Sequence, residues 1–161
     1  MAFSSSTTRK NDVFLNFRGT DTRDGFTAYL YEALHLAEIN TFIDKKLERG
    51  EEISAALLQE IESSSISVVI FSQDYAFSPY CLDELVKIIE CKESMGQSVF
   101  PVFYKVDPTD IEELRGRYGE AFAEHEAKFK GENDKLEKWK SALQETINFS
   151  GWHITNDKLI L

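Results

Sequence analysis

Short apolar runs alternate along the chain with longer stretches in which apolar positions recur every three or four residues. Residues 12–17 (DVFLNF), 41–43 (TFI), 66–71 (ISVVIF) and 98–104 (SVFPVFY) are of the first kind and predict strands. Residues 66–71 are the most β-branched of them. Residues 24–37 set Phe26, Leu30, Ala33, Leu34 and Ala37 on one helical stripe. Residues 53–62 do the same with Ile53, Leu57, Leu58 and Ile61; Ser54 is a poor interior residue, so that start is free to shift by one or two positions. Further helices are expected over 78–94, 110–129 and 134–148, with a break at 130–133. Residues 152–154 read as a short last strand, and 157–161 as the first turn of a helix that the chain does not complete. Pro101 has no N–H to donate, so it should lie where a strand ladder is interrupted.

Strand–helix alternation with short apolar strands implies an α/β fold, a parallel sheet covered on both faces. Right-handed crossovers make that sheet doubly wound. Such sheets bind ligands outside the carboxyl ends of their strands, near the switch in strand order. The loops of interest are therefore 18–23, 44–52, 72–78 and 105–110.

Composition narrows the picture. A length of 161 residues suits one domain, expected over 11–161, after a Ser/Thr-rich and disordered stretch at 1–10. No apolar run approaches the roughly 20 residues needed to span a bilayer. The start lacks the apolar core of a secretory signal, and Ala2 stands where myristoylation requires glycine. No membrane association is expected, and the compartment expected is the cytoplasm, with the nucleus as a second one. Cys81 and Cys91 fall on one predicted helix, about 15 Å apart, too far for a disulfide. His35, His125 and His153 have no metal-ligand spacing, so no metal is expected. The net charge of −10 opposes binding to nucleic acid or anionic lipid.

Four segments carry candidate chemistry. In SPYCLDEL (78–85), Ser78 is a natural N-cap and Pro79 suits the first helical position. Leu82, Leu85, Val86 and Ile89 form the core stripe of that helix, while Asp83, Lys87 and Glu90 face solvent. Glu84 belongs to neither group. It lies beside Tyr80, Cys81 and Ile88 at the margin of an apolar surface. It is either an ordinary exposed glutamate or a partly desolvated carboxylate whose neutral form is favoured. FRGTDTR (17–23) follows a strand and precedes a helix; it is a plain turn with surface arginines or a phosphate cradle of backbone N–H groups. DKKLERGEE (44–52) is a solvated loop or, being long for its place, a functional one. FPVFYKVDP (100–108) reads as a strand ended by an Asp-Pro turn.

Taken in order, DVFLNFRGTDTR, the 44–52 loop, SPYCLDEL, FPVFYKVDP and SGWHI (150–154) resemble the signature boxes of plant TIR (Toll/interleukin receptor) domains, the 44–52 segment matching their BB loop. The resemblance covers about 11–154. It implies a flavodoxin-like sheet of five parallel strands with helices on both faces. It also implies cleavage of the nicotinamide–ribose bond of NAD+ or NADP+, bound as substrate with no cofactor. The glutamate of the CLDEL box is the family's catalytic residue, which is Glu84 here. Arg18, Gly19, Asp44, Arg49, Ser78 and Tyr80 occupy the positions expected to bind substrate. Tyr80 stands where many relatives have tryptophan, Glu48 where some have a basic residue, and Thr20 where glutamate is commoner. The family self-associates through two helical faces, one of which uses the first helix together with the last, so the expected partners are further copies and other TIR domains, as dimer or tetramer on activation. Ala28-Tyr29 replaces a Ser-His pair that many relatives carry in the first helix.

The leading expectation is an NAD(P)+ nucleosidase, active when self-associated, that produces nucleotide signals for plant immunity and cell death. A non-catalytic self-association module is the alternative. A nucleic-acid-dependent cyclic nucleotide synthetase is a third reading, against which the net charge argues.

Overall fold

The computed structural model describes residues 10–22, 25–44, 54–155 and the backbone of 158–160. Six strands form one sheet in the order β2-β1-β3-β4-β5-β6. They are β1 (Asn11–Asn16), β2 (Thr41–Ile43), β3 (Ser64–Phe71), β4 (Ser98–Tyr104), β5 (Trp152–Thr155) and β6 (Lys158–Ile160). The first five pair in parallel, as expected of the flavodoxin-like arrangement. The sixth pairs antiparallel with β5. Residues 158–160 thus extend the sheet where the first turn of a helix was expected. A segment this short carries no period that separates the two conformations.

Alternation along each strand sorts side chains to two faces. Phe14, Val69, Phe71 and Phe103 face a core shared with α3 (Ala55–Glu62), α4 (Pro79–Met95), α5 (Pro108–Glu112), α6 (Gly116–Lys128) and α7 (Asn133–Thr146). Val13, Leu15, Val68, Ile70, Val102 and Ile154 face the other way, against Phe26, Leu30 and Leu34 of α2 (Phe26–Leu36). Each fully buried side chain of this size contributes about 1.5–3 kcal/mol, so the central strands, packed on both faces, anchor the fold.

Local chemistry explains the helix ends. Ser54 caps α3, its Oγ accepting from Leu57 N at 3.2 Å, which moves the start two residues beyond the expected 53. Asp107 caps α5 in the same manner, accepting from Thr109 N at 2.8 Å, and Pro108 takes the first helical position. The Asp-Pro turn therefore also opens a helix. The single helix expected over 110–129 is divided into α5 and α6. Leu114 and Gly116 both adopt left-handed backbone, with φ of 51° and 56°, and no α-helix continues through such residues.

Pro101 stands opposite Val69 of β3, and pairing with β5 begins one residue later, at Val102. The missing N–H therefore falls outside the β4–β5 ladder, as its chemistry demands. Gly151 packs directly on this proline: a Cβ there would lie 2.2 Å from the Pro101 carbonyl oxygen.

Candidate functional site

The chain runs from β1 out to β2 and then returns past β1 to β3, so the strand order switches between β1 and β3. In doubly wound sheets the loops leaving the carboxyl ends diverge at that point, and ligands bind between them. Three segments meet there: residues 17–22 after β1, Asp44 at the end of β2, and residues 72–84 after β3.

After β3 the chain makes a 3-10 turn (Tyr75–Phe77) and enters α4 through Ser78. Ser78 is buried, and its Oγ accepts from Cys81 N at 3.1 Å. This cap fixes the direction of the first turn of α4. Glu84, one turn further, is 4% exposed. The helical wheel placed it at a margin; in the fold β1 and the 3-10 turn cover that margin. Asn16, the last residue of β1, donates from Nδ2 to Glu84 Oε1 at 2.7 Å. The Tyr75 hydroxyl donates in turn to Asn16 Oδ1. Burial pushes Tyr75 well above the usual tyrosine range, with nearby Cys81 and Glu84 adding to the effect, so it remains a donor at physiological pH.

Residues 19–22 form a one-turn helix, α1 (Gly19–Thr22), inside the segment read as a turn. Asp21 organises it. Its Oδ1 pairs with Arg18 Nη1 at 2.9 Å. Its Oδ2 accepts from Ser72 Oγ at 2.5 Å and Asp74 N at 3.0 Å. Asp74 is itself held by Arg117 Nε of α6 at 2.7 Å. Arg18 is thereby tied into a bridge between the loops after β1 and β3. On the far side of α4's first turn, the Tyr80 hydroxyl donates to Asp44 Oδ2 at 2.9 Å.

Arg18, Gly19, Asp44, Ser78, Tyr80 and Glu84 therefore converge on one end of the sheet. Arg49 lies outside the described residues, with the rest of 45–53. Sequence reasoning missed Asn16, Tyr75 and Asp21. Asn16 did carry a signal, being the polar residue inside an otherwise apolar strand. Tyr75 carried none, because an aromatic in a loop does not announce its partner. Among the described residues no cluster of His, Cys, Asp and Glu could hold a metal ion, and no helix is long and apolar enough to cross a membrane.

Known proteins supply the family. The model of the TIR domain matches residues 10–159. The chain is 52% identical over 147 residues to the disease resistance protein RPV1 of Vitis rotundifolia, covering 91% of this chain and 10% of that protein. It is 46% identical over 160 residues to the TMV resistance protein N of Nicotiana glutinosa, covering 98% of this chain and 14% of that protein. It thus spans about a tenth of the length of such curated relatives. The TIR domains of the activated Roq1 resistosome, a structure that directly recognizes the pathogen effector XopQ, superpose with a TM-score of 0.82 at 45% identity, over 89% of this chain and 87% of that one. With the match running through nearly the whole sheet, the chain belongs to the TIR domain family, as a plant TIR domain homologous to disease resistance proteins.

Proposed function

We propose that this domain is an NAD(P)+ nucleosidase that works when chains associate and produces nucleotide signals for plant immunity and cell death. The observation that carries the reading is the buried Glu84 carboxylate at the β1–β3 switch point, held by Asn16 at 2.7 Å. Nicotinamide leaves NAD+ as a neutral molecule, taking the electrons of the C1′–N bond, so departure needs no proton from the protein. The ribose left behind has oxocarbenium character, and water supplies the new C1′–O bond and releases a proton. A fixed carboxylate beside the ribose stabilises that positive charge, or holds the ribose hydroxyls, with little reorganisation. Arg18 suits the pyrophosphate, with Gly19 beside it allowing close approach of the backbone. Tyr80 offers a ring for the base, and Ser78, Asp44 and Arg49 complete the proposed contacts.

A second reading is a self-association module without turnover. It is favoured by α2, which exposes Tyr29 (76%) and Leu36 (74%) to solvent. That is the helix to which the family resemblance assigns association.

Nicotinamide release at high protein concentration with a crowding agent separates them. We expect turnover by the wild type and a loss of at least about 100-fold in Glu84→Ala, a magnitude typical of removing a transition-state charge contact. Light scattering should show equal assembly of both chains. An assembled wild type without turnover, or a mutant as fast as the wild type, would overturn the nucleosidase reading.

A further inference from the structure

Tyr75, Asn16 and Glu84 stand in series at the β1–β3 switch point, exposed by 0%, 0% and 4%. They come from three rigid pieces: the 3-10 turn, the end of β1 and the second turn of α4. Asn16 is anchored through its backbone, which pairs with Val69 of β3.

An amide removed from water needs both of its ends satisfied. Asn16 Oδ1 accepts from the Tyr75 hydroxyl, while Nδ2 donates to Glu84 Oε1 at 2.7 Å and faces the Cys81 carbonyl oxygen at 3.4 Å. Turning the amide over would point its oxygen at a carboxylate and a carbonyl, both acceptors, and would leave the Tyr75 hydroxyl only the Cys81 carbonyl oxygen, at 3.3 Å, to donate to. The two acceptors at Nδ2 and the Tyr75 hydroxyl at Oδ1 therefore set the sense of the amide together, and the amide holds one oxygen of the carboxylate. Stability alone does not call for this chain. Exchanging both members of a buried hydrogen-bonded pair for apolar groups of similar shape is close to neutral, and position 16 follows directly on Val13, Phe14 and Leu15.

We propose that Asn16 is a positioning residue that aims the Glu84 carboxylate at the bound nucleotide, with the Tyr75 hydroxyl supporting the amide from its oxygen end. The proposal rests on the role of Glu84 advanced above. It makes the aim of that carboxylate a property of the sheet and the 3-10 turn rather than of α4 alone. Preorganisation of this kind acts on the chemical step more than on substrate affinity.

Two measurements test it. In nicotinamide release, Asn16→Ala should lower kcat by roughly tenfold or more while KM stays within about twofold, the signature of an interaction that matters in the transition state. Tyr75→Phe should move kcat in the same direction by less. A purely structural role predicts instead a lower unfolding midpoint with kcat per folded molecule unchanged, and that result would overturn the proposal.

The second readout needs no turnover. In a 13C NMR titration of glutamate carboxyls in the 161-residue chain, the Glu84 signal is identified by its loss in Glu84→Gln. Asn16→Asp sets a second carboxylate against it, so Glu84 should titrate about one unit or more higher than in the wild type. The other titratable groups at this point, Tyr75, Cys81 and Tyr118, are common to both proteins. An unmoved titration overturns the proposal. If Asn16→Asp does not fold, Tyr75→Phe replaces it: a displaced Glu84 carboxyl shift supports the relay and an unchanged one sinks it. An assembled wild type without nicotinamide release defeats the nucleosidase reading, while the titration still decides whether Asn16 governs Glu84.

Discussion

The Tyr80 hydroxyl donates to Asp44 Oδ2 at 2.9 Å, tying the first turn of α4 to the residue that ends β2. The pair spans two of the segments proposed to hold nucleotide, and the bond sets the tilt of the Tyr80 ring. If that ring stacks on a base, its loss should cost affinity, since base–aromatic stacking contributes about 1–3 kcal/mol. Tyr80→Ala is expected to raise KM for NAD+ about tenfold. Tyr80→Phe keeps the ring and should stay within a few-fold of wild type. Steady-state kinetics on the assembled protein decide it, and an unchanged KM in Tyr80→Ala would remove Tyr80 from the substrate contacts.

Trp139 secures α7 to α4. Its ring is buried edge-on against His125 and Phe129, and its indole N–H donates to Asp83 Oδ1 at 2.9 Å. Trp139→Phe keeps most of the apolar area and deletes a bond to a charged acceptor. The expected loss is about 1–3 kcal/mol, read as a lower urea midpoint at unchanged slope. A midpoint equal to that of wild type would show that the bond contributes nothing net.

His125 gives the fold a pH dependence. Its Nε2 meets the Ala76 carbonyl at 2.7 Å, which with Glu124 favours the charged form, but burial dominates and pushes the imidazole below its ordinary range. Lys128 and Lys135 push the same way as burial. As pH falls through about 6.5 the unfolded chain takes up a proton that the folded chain refuses, so stability falls from there until the folded imidazole itself protonates. Urea melts at pH 7.5 and pH 5.5 should show a larger acid loss for wild type than for His125→Gln. Equal losses would assign the dependence to other groups.

Gly151 faces the proline of β4 with no room for a side chain, a Cβ coming within 2.2 Å of the Pro101 carbonyl oxygen and 2.7 Å of its ring. The neighbour is mostly backbone of a central strand and yields little. Gly151→Ala is expected to cost about 1–3 kcal/mol, lowering the melting temperature by several degrees. A melting temperature within a degree of wild type would show that β5 shifts at no cost.

Much of this architecture was legible in the residues. Apolar runs of strand length, separated by helical periods, dictated a parallel doubly wound sheet, because only two-faced burial suits strands such as ISVVIF. Ser78-Pro79 marked the start of α4 to the residue, since a capping hydroxyl and a proline at the first position are local signals. The boxes around Arg18, Asp44 and Glu84 pointed to the loops that the fold brings to one end of the sheet. What failed was equally local. The period over 110–129 runs through Leu114 and Gly116, whose left-handed turn no apolar pattern records.

Depth and partnership belonged to the tertiary structure. The helical wheel gave Glu84 a direction, but a wheel has no second layer, and the 4% exposure arises only when β1 closes over α4. Asn16 meets Glu84 across 68 residues of sequence, and Tyr75 meets Asn16 across 59. Such contacts follow from the crossovers that set β1 beside β3, and no spacing within either segment encodes them. The sequence by itself determined the alternation of strands and helices and the chemical groups they carry. Packing decided which of those groups leave water together, because burial depends on the surfaces that other elements present.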